Sequence, residues 1–138
     1  MDTLRALTEQ YIHIAKKWDE ARDNLPYIIT NEPKEGAFIE DDKQFIEVAS
    51  DGKMSLKYTE RGNIDVLMTT HSIDEFLYFL FKSEAEAYGR GYAMQHLSPE
   101  LNFRKVYFQK AVERMGTLSE EWQNRLQEEL NEILIKHP

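Results

Sequence analysis

The chain contains no cysteine, although it is 138 residues long. Disulfides and thiolate metal sites are therefore excluded, and the composition fits the reducing environment of a cytoplasm. Internal repeats, low-complexity segments and long linkers are also missing. A chain of this length and uniformity is most simply one domain, and we predict a single domain spanning residues 1–138.

The sequence has no apolar run long enough to cross a membrane. Phe76–Phe81 is six consecutive apolar or aromatic residues, closed by Asp74–Glu75 and by Lys82–Glu84, whereas a membrane span needs about 18. The first residues mix charged and apolar side chains, unlike a secretory signal peptide. We therefore expect the run to lie in a buried helix and the protein to be cytoplasmic, without a membrane partner.

Positive charge is scarce. The chain has 17 Lys and Arg against 25 Asp and Glu, a net charge of −8, and residues 26–70 hold half of that excess, with five against nine. Phosphate binding needs a basic surface, so we expect no nucleic-acid partner. An acidic protein instead attracts basic partners, although solubility alone is an alternative reason for the charge.

Motifs of catalysis are also absent. The sequence has no phosphate-binding glycine loop, no H-E-x-x-H and no G-x-S-x-G. The histidines at 13, 71, 96 and 137 lack the spacing of a zinc site. We therefore predict no catalytic residue, no metal and no cofactor, and a binding protein is favoured over an enzyme.

The hydrophobic patterns predict an α+β fold. An apolar stripe at helical spacing predicts a helix over residues 2–23, which Pro26 ends. Five short segments rich in β-branched or aromatic residues then predict a small antiparallel meander of four or five strands. They are residues 27–30, 37–40, 44–49, 54–60 and 64–70. Asp51-Gly52 matches a two-residue hairpin turn with positive φ at both positions.

Three helices are predicted after the strands. Ser72 and Glu75 form a capping box that starts a buried central helix at Ile73; its glycines Gly89 and Gly91 indicate a fray, a kink or a close helix crossing. Ser98-Pro99 predicts the start of a third helix, which runs to about Met115. The inward residues of that helix are Leu101, Phe108, Ala111, Val112 and Met115. Ser119 starts the fourth.

Candidate binding residues come from the acidic region, the strand ends and exposed aromatic positions. An acidic loop tip on a sheet is suited to Lys or Arg of a partner, and tyrosine is enriched at protein interfaces. A polar turn and a half-buried aromatic edge are the plain structural alternatives. The candidates are Glu35, Glu40, Asp41, Asp42, Glu47, Tyr58, Glu60, Arg61, Tyr88 and Arg90.

Several segments, in order, resemble the Immunity protein 63 family of bacterial polymorphic toxin systems. They are NLPY at 24–27, ERG at 60–62, SIDEFLYFLFK at 72–82, NFRKVYFQKAVERMGTLSEEW at 102–122 and LNEILIKHP at 130–138. Phe79 stands where the family pattern has tryptophan, and residues 83–98 are the least similar. The chain also stops at His-Pro, where relatives usually continue.

The resemblance implies an immunity protein that binds a cognate toxin domain, encoded nearby, and blocks it without catalysis. Many such toxins are nucleases, whose basic clefts an acidic sheet edge would complement. The free protein is expected to be a monomer or a weak dimer. The alternatives are a non-enzymatic adaptor or regulatory subunit that binds a cellular protein, and a small hydrolase without a recognisable motif.

Overall fold

The computed structural model describes residues 3–18, 28–30 and 43–137. The predicted strand at 37–40 and the predicted helix end at 19–23 lie outside these residues. The chain divides into two compact units, Met1–Leu77 and Tyr78–Pro138, with the boundary inside a helix. The single-domain organisation stays a prediction.

The elements confirm the α+β class. They are α1 Thr3–Ala15, β1 Ile28–Thr30, β2 Gln44–Val48, β3 Met54–Glu60, β4 Asn63–Thr70, α2 Ile73–Gln95, α3 Phe103–Gly116 and α4 Glu120–Lys136. In α1, Leu7, Tyr11 and Ala15 are buried at four-residue spacing, as the apolar stripe predicts. The helix ends earlier than predicted, because Lys17 and Trp18 donate to Ile14 and Ala15 three residues back, which is a tightened last turn.

The first unit holds a sheet with strand order β1-β2-β3-β4. Strands β2, β3 and β4 form an antiparallel meander of three strands, fewer than the four or five predicted. Strand β1 pairs with β2 in parallel, with Ile28 opposite Phe45. Residues 31–43 separate these two strands, and parallel neighbours need such a longer connection in place of a hairpin turn.

The tight turn of the sheet lies at Arg61-Gly62. Their φ values are 51° and 80°, and they alone separate β3 from β4, which is the backbone of a two-residue hairpin turn. The same prediction for Asp51-Gly52 is wrong, because only Gly52 has a positive φ and residues 49–53 form a longer loop. In that loop the Asp51 carboxylate accepts a hydrogen bond from the Lys53 backbone N–H at 3.0 Å.

One face of the sheet supplies much of the buried core of the first unit. Ile46, Val48, Met54 and Leu56 are buried and share a face by strand alternation and register. The opposite face carries buried Phe45 and Ser55, and the Ser55 hydroxyl is hydrogen-bonded to that of Thr69 at 3.1 Å. The meander therefore has buried residues on both faces.

Helix α2 begins at Ile73, as the capping box predicts. The Ser72 hydroxyl accepts a hydrogen bond from the Glu75 backbone N–H at 3.2 Å. The Phe76–Phe81 run is buried except for Phe79, which is half-buried, so the predicted buried helix is confirmed. No helix in the described part of the chain is long and apolar enough to cross a membrane.

The second unit contains the rest of α2, together with α3 and α4. Trp122 of α4 lies with its ring centroid 5.9 Å from those of both Tyr78 and Phe81. The Gln123 amide reaches back to the Val112 carbonyl oxygen at 3.4 Å. Ser119 caps α4 through the Trp122 N–H, which confirms the predicted start of that helix.

Helix α3 starts later than predicted. Its N-cap is Asn102, whose side chain accepts from the Lys105 N–H at 3.0 Å. Ser98 caps only a turn, through the Glu100 N–H at 3.3 Å, and Leu101 is 53% exposed rather than inward. The other predicted inward residues, Phe108, Ala111, Val112 and Met115, are buried. A second competent cap four residues downstream explains the shift.

Gly89 marks a close crossing of α2 and α3. A Cβ built at Gly89 would lie 2.3 Å from the Tyr107 carbonyl oxygen and 3.0 Å from the Ala111 backbone nitrogen. At Gly91 a Cβ would meet nothing within 4 Å. Of the three explanations for the glycine pair, the structure therefore selects the close crossing, and it assigns that role to Gly89.

Candidate functional site

Four predicted binding residues lie outside the described part of the chain. They are Glu35, Glu40, Asp41 and Asp42, which form the acidic core of the sequence-based hypothesis. Their role as a partner-binding loop stays a prediction. The other six candidates are described, and they fall into three places.

Glu47 and Tyr58 lie within the sheet. The Glu47 carboxylate pairs with the Lys57 ammonium on the next strand at 3.0 Å, and the Glu47 side chain is only 17% exposed. Tyr58 of β3 is half-buried between Gln44 and Asp65 on the neighbouring strands. Glu47 is thus held in a cross-strand ion pair.

Glu60 and Arg61 lie at the exposed tip of the β3–β4 hairpin. They line an open depression together with Asn63, Ile64 and Asp65. Arg61 holds a positive φ, which costs an L-residue roughly 1–2 kcal/mol relative to the right-handed region. Glycine or asparagine adopts a positive φ more easily, so arginine at position 61 makes the turn less stable than glycine would.

Apolar side chains continue from the hairpin tip along β4. Ile64 and Val66 are each 58% exposed, and Leu67 is also exposed. Leu67 is the extra residue at a register shift, because Leu56 faces Met68 while Lys57 faces Val66. β4 is last in the strand order, and a bulge is a common device on an edge strand. The hairpin therefore presents mixed polar and apolar groups.

Tyr88 and Arg90 belong to a larger group on α2 and α3. We call this group the aromatic–cation cluster, and it comprises Tyr88, Arg90, Tyr92, Tyr107, Lys110 and Arg114. Three cations of the cluster each lie over a tyrosine ring of the other helix. The cation-to-centroid distances are 4.7 Å for Arg114 over Tyr88, 4.5 Å for Lys110 over Tyr92 and 5.3 Å for Arg90 over Tyr107.

Hydrogen bonds and stacking extend the cluster. Arg90 also donates to the Tyr107 hydroxyl at 2.8 Å. The Tyr92 ring stacks on His96 at a centroid distance of 4.0 Å, and the Tyr107 ring lies edge-on to Phe103 at 6.3 Å. Cation–π contacts of this kind are attractive, so they favour these positions of the side chains before any partner arrives.

The titration behaviour of the cluster follows its partners. The hydrogen bond to Glu113 raises the pKa of the Lys110 ammonium, so Lys110 stays charged. Burial raises the pKa of the Tyr107 hydroxyl, which stays neutral. Burial also raises the pKa of the Glu86 carboxyl, against the lowering effect of Lys82 and Arg90.

Only part of this cluster was predicted from the sequence. Tyr88 and Arg90 were predicted as partner-binding residues, whereas Tyr107, Lys110 and Arg114 were not. The available signal was a pair of four-residue spacings, Tyr88 to Tyr92 on α2 and Lys110 to Arg114 on α3, which place each pair on one helix face. That the two faces meet is a fact of tertiary structure.

Within residues 3–18 and 43–137, no group of three or more His, Asp or Glu side chains is arranged to hold a metal ion. His71 lies 3.3 Å from the Asp51 carboxylate. The pKa of Asp51 is lowered mainly by the hydrogen bond from the Lys53 backbone N–H and secondly by the contact with His71. The described surfaces carry stacked cations, tyrosines and exposed apolar side chains.

The chain belongs to the Immunity protein 63 family, whose model matches residues 50–132. The match includes β3, β4, α2, α3 and most of α4, and therefore both the hairpin tip and the aromatic–cation cluster. The family resemblance found in the sequence is confirmed, and the family's description implies an immunity protein against a toxin. No curated protein and no solved structure matches the chain.

Proposed function

We propose that this protein binds a cognate toxin domain directly and neutralises it, without catalysis, in the cytoplasm of the bacterium that produces the toxin. Membership in the Immunity protein 63 family carries this proposal. The toxin domain would be encoded next to this gene, and the free immunity protein would be a monomer or a weak dimer.

The exposed surfaces support a binding role. Tyrosine, arginine and methionine are enriched at protein interfaces, whereas lysine and glutamate are depleted. The aromatic–cation cluster is rich in tyrosine and arginine, and the hairpin tip combines a conformationally costly arginine with exposed Ile64 and Val66. Both are suited to a protein partner.

We further propose that the toxin is a nuclease. A nuclease cleft is basic because it binds phosphates, and this chain carries a net charge of −8 with half of its acidic excess in residues 26–70. Opposite charges would speed the encounter of the two proteins. Part of that acidic region, including Glu40, Asp41 and Asp42, lies outside the described residues.

Co-expression tests the proposal. The toxin domain encoded beside this gene is expressed alone, with this protein, and with an unrelated immunity protein as the specificity control. We expect cell survival only with this protein, and co-elution of the pair as a 1:1 complex in size-exclusion chromatography. Degradation of DNA or RNA by the free toxin domain, blocked in the complex, is expected for a nuclease.

Two outcomes contradict the proposal. Cell death in the presence of folded, soluble protein would reject neutralisation, and an adaptor that binds a housekeeping protein would become the better explanation. Survival without co-elution would reject direct binding.

A further inference from the structure

We infer that the aromatic–cation cluster and the apolar residues beside it form a docking surface for an acidic patch with an apolar centre on the toxin domain. This inference rests on the proposed function and specifies the chemistry of the partner surface. It also places a contact outside the substrate cleft of the proposed nuclease, because that cleft is basic whereas the cluster needs an acidic patch.

The charge of this region is opposite to that of the rest of the chain. Residues 88–114 hold five Lys and Arg against two Asp and Glu, a balance of +3. The rest of the chain holds twelve Lys and Arg against twenty-three Asp and Glu, a balance of −11. A segment with more cations than anions, in a protein that is otherwise acidic, attracts an acidic partner surface at close range, where screening by salt is weakest.

The cations of the cluster are positioned before binding. Arg114, Lys110 and Arg90 each lie 4.5–5.3 Å from a tyrosine ring centroid. Arg90 is exposed, and its hydrogen bond is accepted by the hydroxyl of Tyr107. The Arg90 charge is therefore presented in a fixed direction, which lowers the entropy lost when a carboxylate binds. The Arg90 charge is also attracted to the Glu86 carboxylate one turn back on α2, which limits but does not cancel the positive charge of this surface.

Apolar groups adjoin the cations. Tyr88 is 46% exposed, and Met94 and Leu97 are more than 60% exposed. Met94 follows Arg90 by four residues on α2, which places the two on one face of the helix. Phe103, also exposed, contacts Tyr107 of the cluster. Half of the chain's exposed large apolar residues that the structure describes thus lie between 88 and 103.

The cluster stands on two closely packed helices. The α2 and α3 backbones approach each other at Gly89, which lies between Tyr88 and Arg90 in the sequence. Surfaces held on packed helices are more precisely positioned than surfaces on loops. An interface with a rigid apolar centre and a charged rim is the arrangement in which a few residues dominate the binding energy.

A protein partner explains these features better than a nucleic acid. Phosphate binding draws on a stripe of cations, whereas Lys110 of the cluster already pairs with Glu113 at 3.1 Å. The exposed side chains of Met94, Leu97 and Phe103 have no role against a phosphate backbone. Carboxylates around an apolar centre match both sets of groups.

The test measures binding of charge variants to the toxin domain encoded beside this gene. Arg90→Glu is compared with Lys53→Glu, which makes the same charge change at an exposed lysine of the first unit. Association and dissociation rates are recorded at low and high salt, and circular dichroism verifies folding. A third variant, Arg90→Gln, removes the charge without adding a repulsive one.

We expect Arg90→Glu to weaken affinity by about tenfold or more, with a slower association rate at low salt. Arg90→Gln is expected to fall between this variant and the unmodified protein. Lys53→Glu is expected to retain affinity within about twofold. Tyr88→Ala is expected to raise the dissociation rate, because it removes an apolar contact rather than a charge.

The sign of the effect decides the inference. If Arg90→Glu binds as well as the unmodified protein, or associates faster, the cluster does not face an acidic patch and the inference is overturned while the proposed function stands. If the unmodified protein neither binds nor rescues, both are overturned. Loss of binding to a labelled RNA or DNA duplex, or of self-association in sedimentation, on Arg90→Glu would assign the surface to those occupants instead.

Discussion

The two glycines of α2 give a direct test of the α2–α3 packing. Gly89 and Gly91 are two residues apart on one helix, yet a Cβ at Gly89 would lie 2.3 Å from the Tyr107 carbonyl oxygen while a Cβ at Gly91 would meet open space. Neither has a positive φ, so alanine fits the backbone of both. Gly89→Ala and Gly91→Ala therefore differ only in tertiary contact.

The expected magnitudes follow from two opposing effects. Replacing glycine by alanine in a helix stabilises by about 1 kcal/mol, and Gly91→Ala is expected to show most of that gain. At Gly89 the obstacle is backbone, which cannot rotate away as a side chain would. Relief requires α2 and α3 to separate by about 1 Å, and overpacking of this kind costs roughly 1–3 kcal/mol or more.

The separation would also loosen the contacts between the two helices, including the hydrogen bond from Arg90 to Tyr107. We therefore expect Gly89→Ala to be less stable than the unmodified protein by about 1–2 kcal/mol. The gap between the two variants should be about 2–3 kcal/mol.

Urea unfolding followed by circular dichroism measures these differences. Gly91→Ala is expected to raise the unfolding midpoint and Gly89→Ala to lower it, with similar slopes for both if the unfolding remains two-state. Equal stabilisation by the two substitutions would show that the helices do not cross closely at Gly89. The aromatic–cation cluster would then not stand on two closely packed helices.

Three further predictions follow from the described contacts and the sequence. Tyr78→Phe removes the hydrogen bond to the Glu129 carboxylate and should lower the free energy of unfolding by about 2 kcal/mol. Burial and the Glu129 hydrogen bond raise the pKa of Tyr78, so the unmodified protein loses this stability as pH rises above the ordinary tyrosine pKa, about 10. Chemical unfolding should therefore show that the difference in stability between the unmodified protein and Tyr78→Phe shrinks above about pH 10. A difference that stays constant would contradict the raised pKa. Arg61→Gly relieves the positive φ and should raise the free energy of unfolding by about 0.5 kcal/mol while weakening toxin binding in calorimetry; full affinity would exclude the hairpin tip from the interface. Reversing the charges of Glu40, Asp41 and Asp42 to lysine should slow association with the toxin domain and leave the unfolding midpoint nearly unchanged. An unaltered association rate would show that these three residues are not the acidic contact.

Local signals in the sequence predicted the helices and most of the strands. Ser72 and Ser119 cap the helices that they were expected to cap, because capping depends on residues within one turn. The apolar run at Phe76–Phe81, predicted to lie in a buried helix, is buried apart from Phe79. The absence of cysteine and of an apolar run long enough to cross a membrane can likewise be read directly from the sequence.

The predictions from the sequence were wrong where two residues could each start the same helix, or where a strand pairs with residues distant in the sequence. Ser98 and Asn102 are both good N-cap residues, so residue type alone does not show that Asn102 caps α3. A strand sequence does not encode parallel or antiparallel pairing, so β1 could not be distinguished from a meander strand. Asp51-Gly52 has hairpin residues, but the loop between β2 and β3 is longer than two residues.

The class of the fold, the number of its helices and the family of the chain could be predicted from the amino-acid sequence alone. Each depends on patterns within short segments or on the order of those segments. The contact between the tyrosines of α2 and the cations of α3, more than fifteen residues away along the chain, depends on tertiary packing. Helical spacing tells which residues share a face, but which faces meet is set by the close packing of backbones at Gly89.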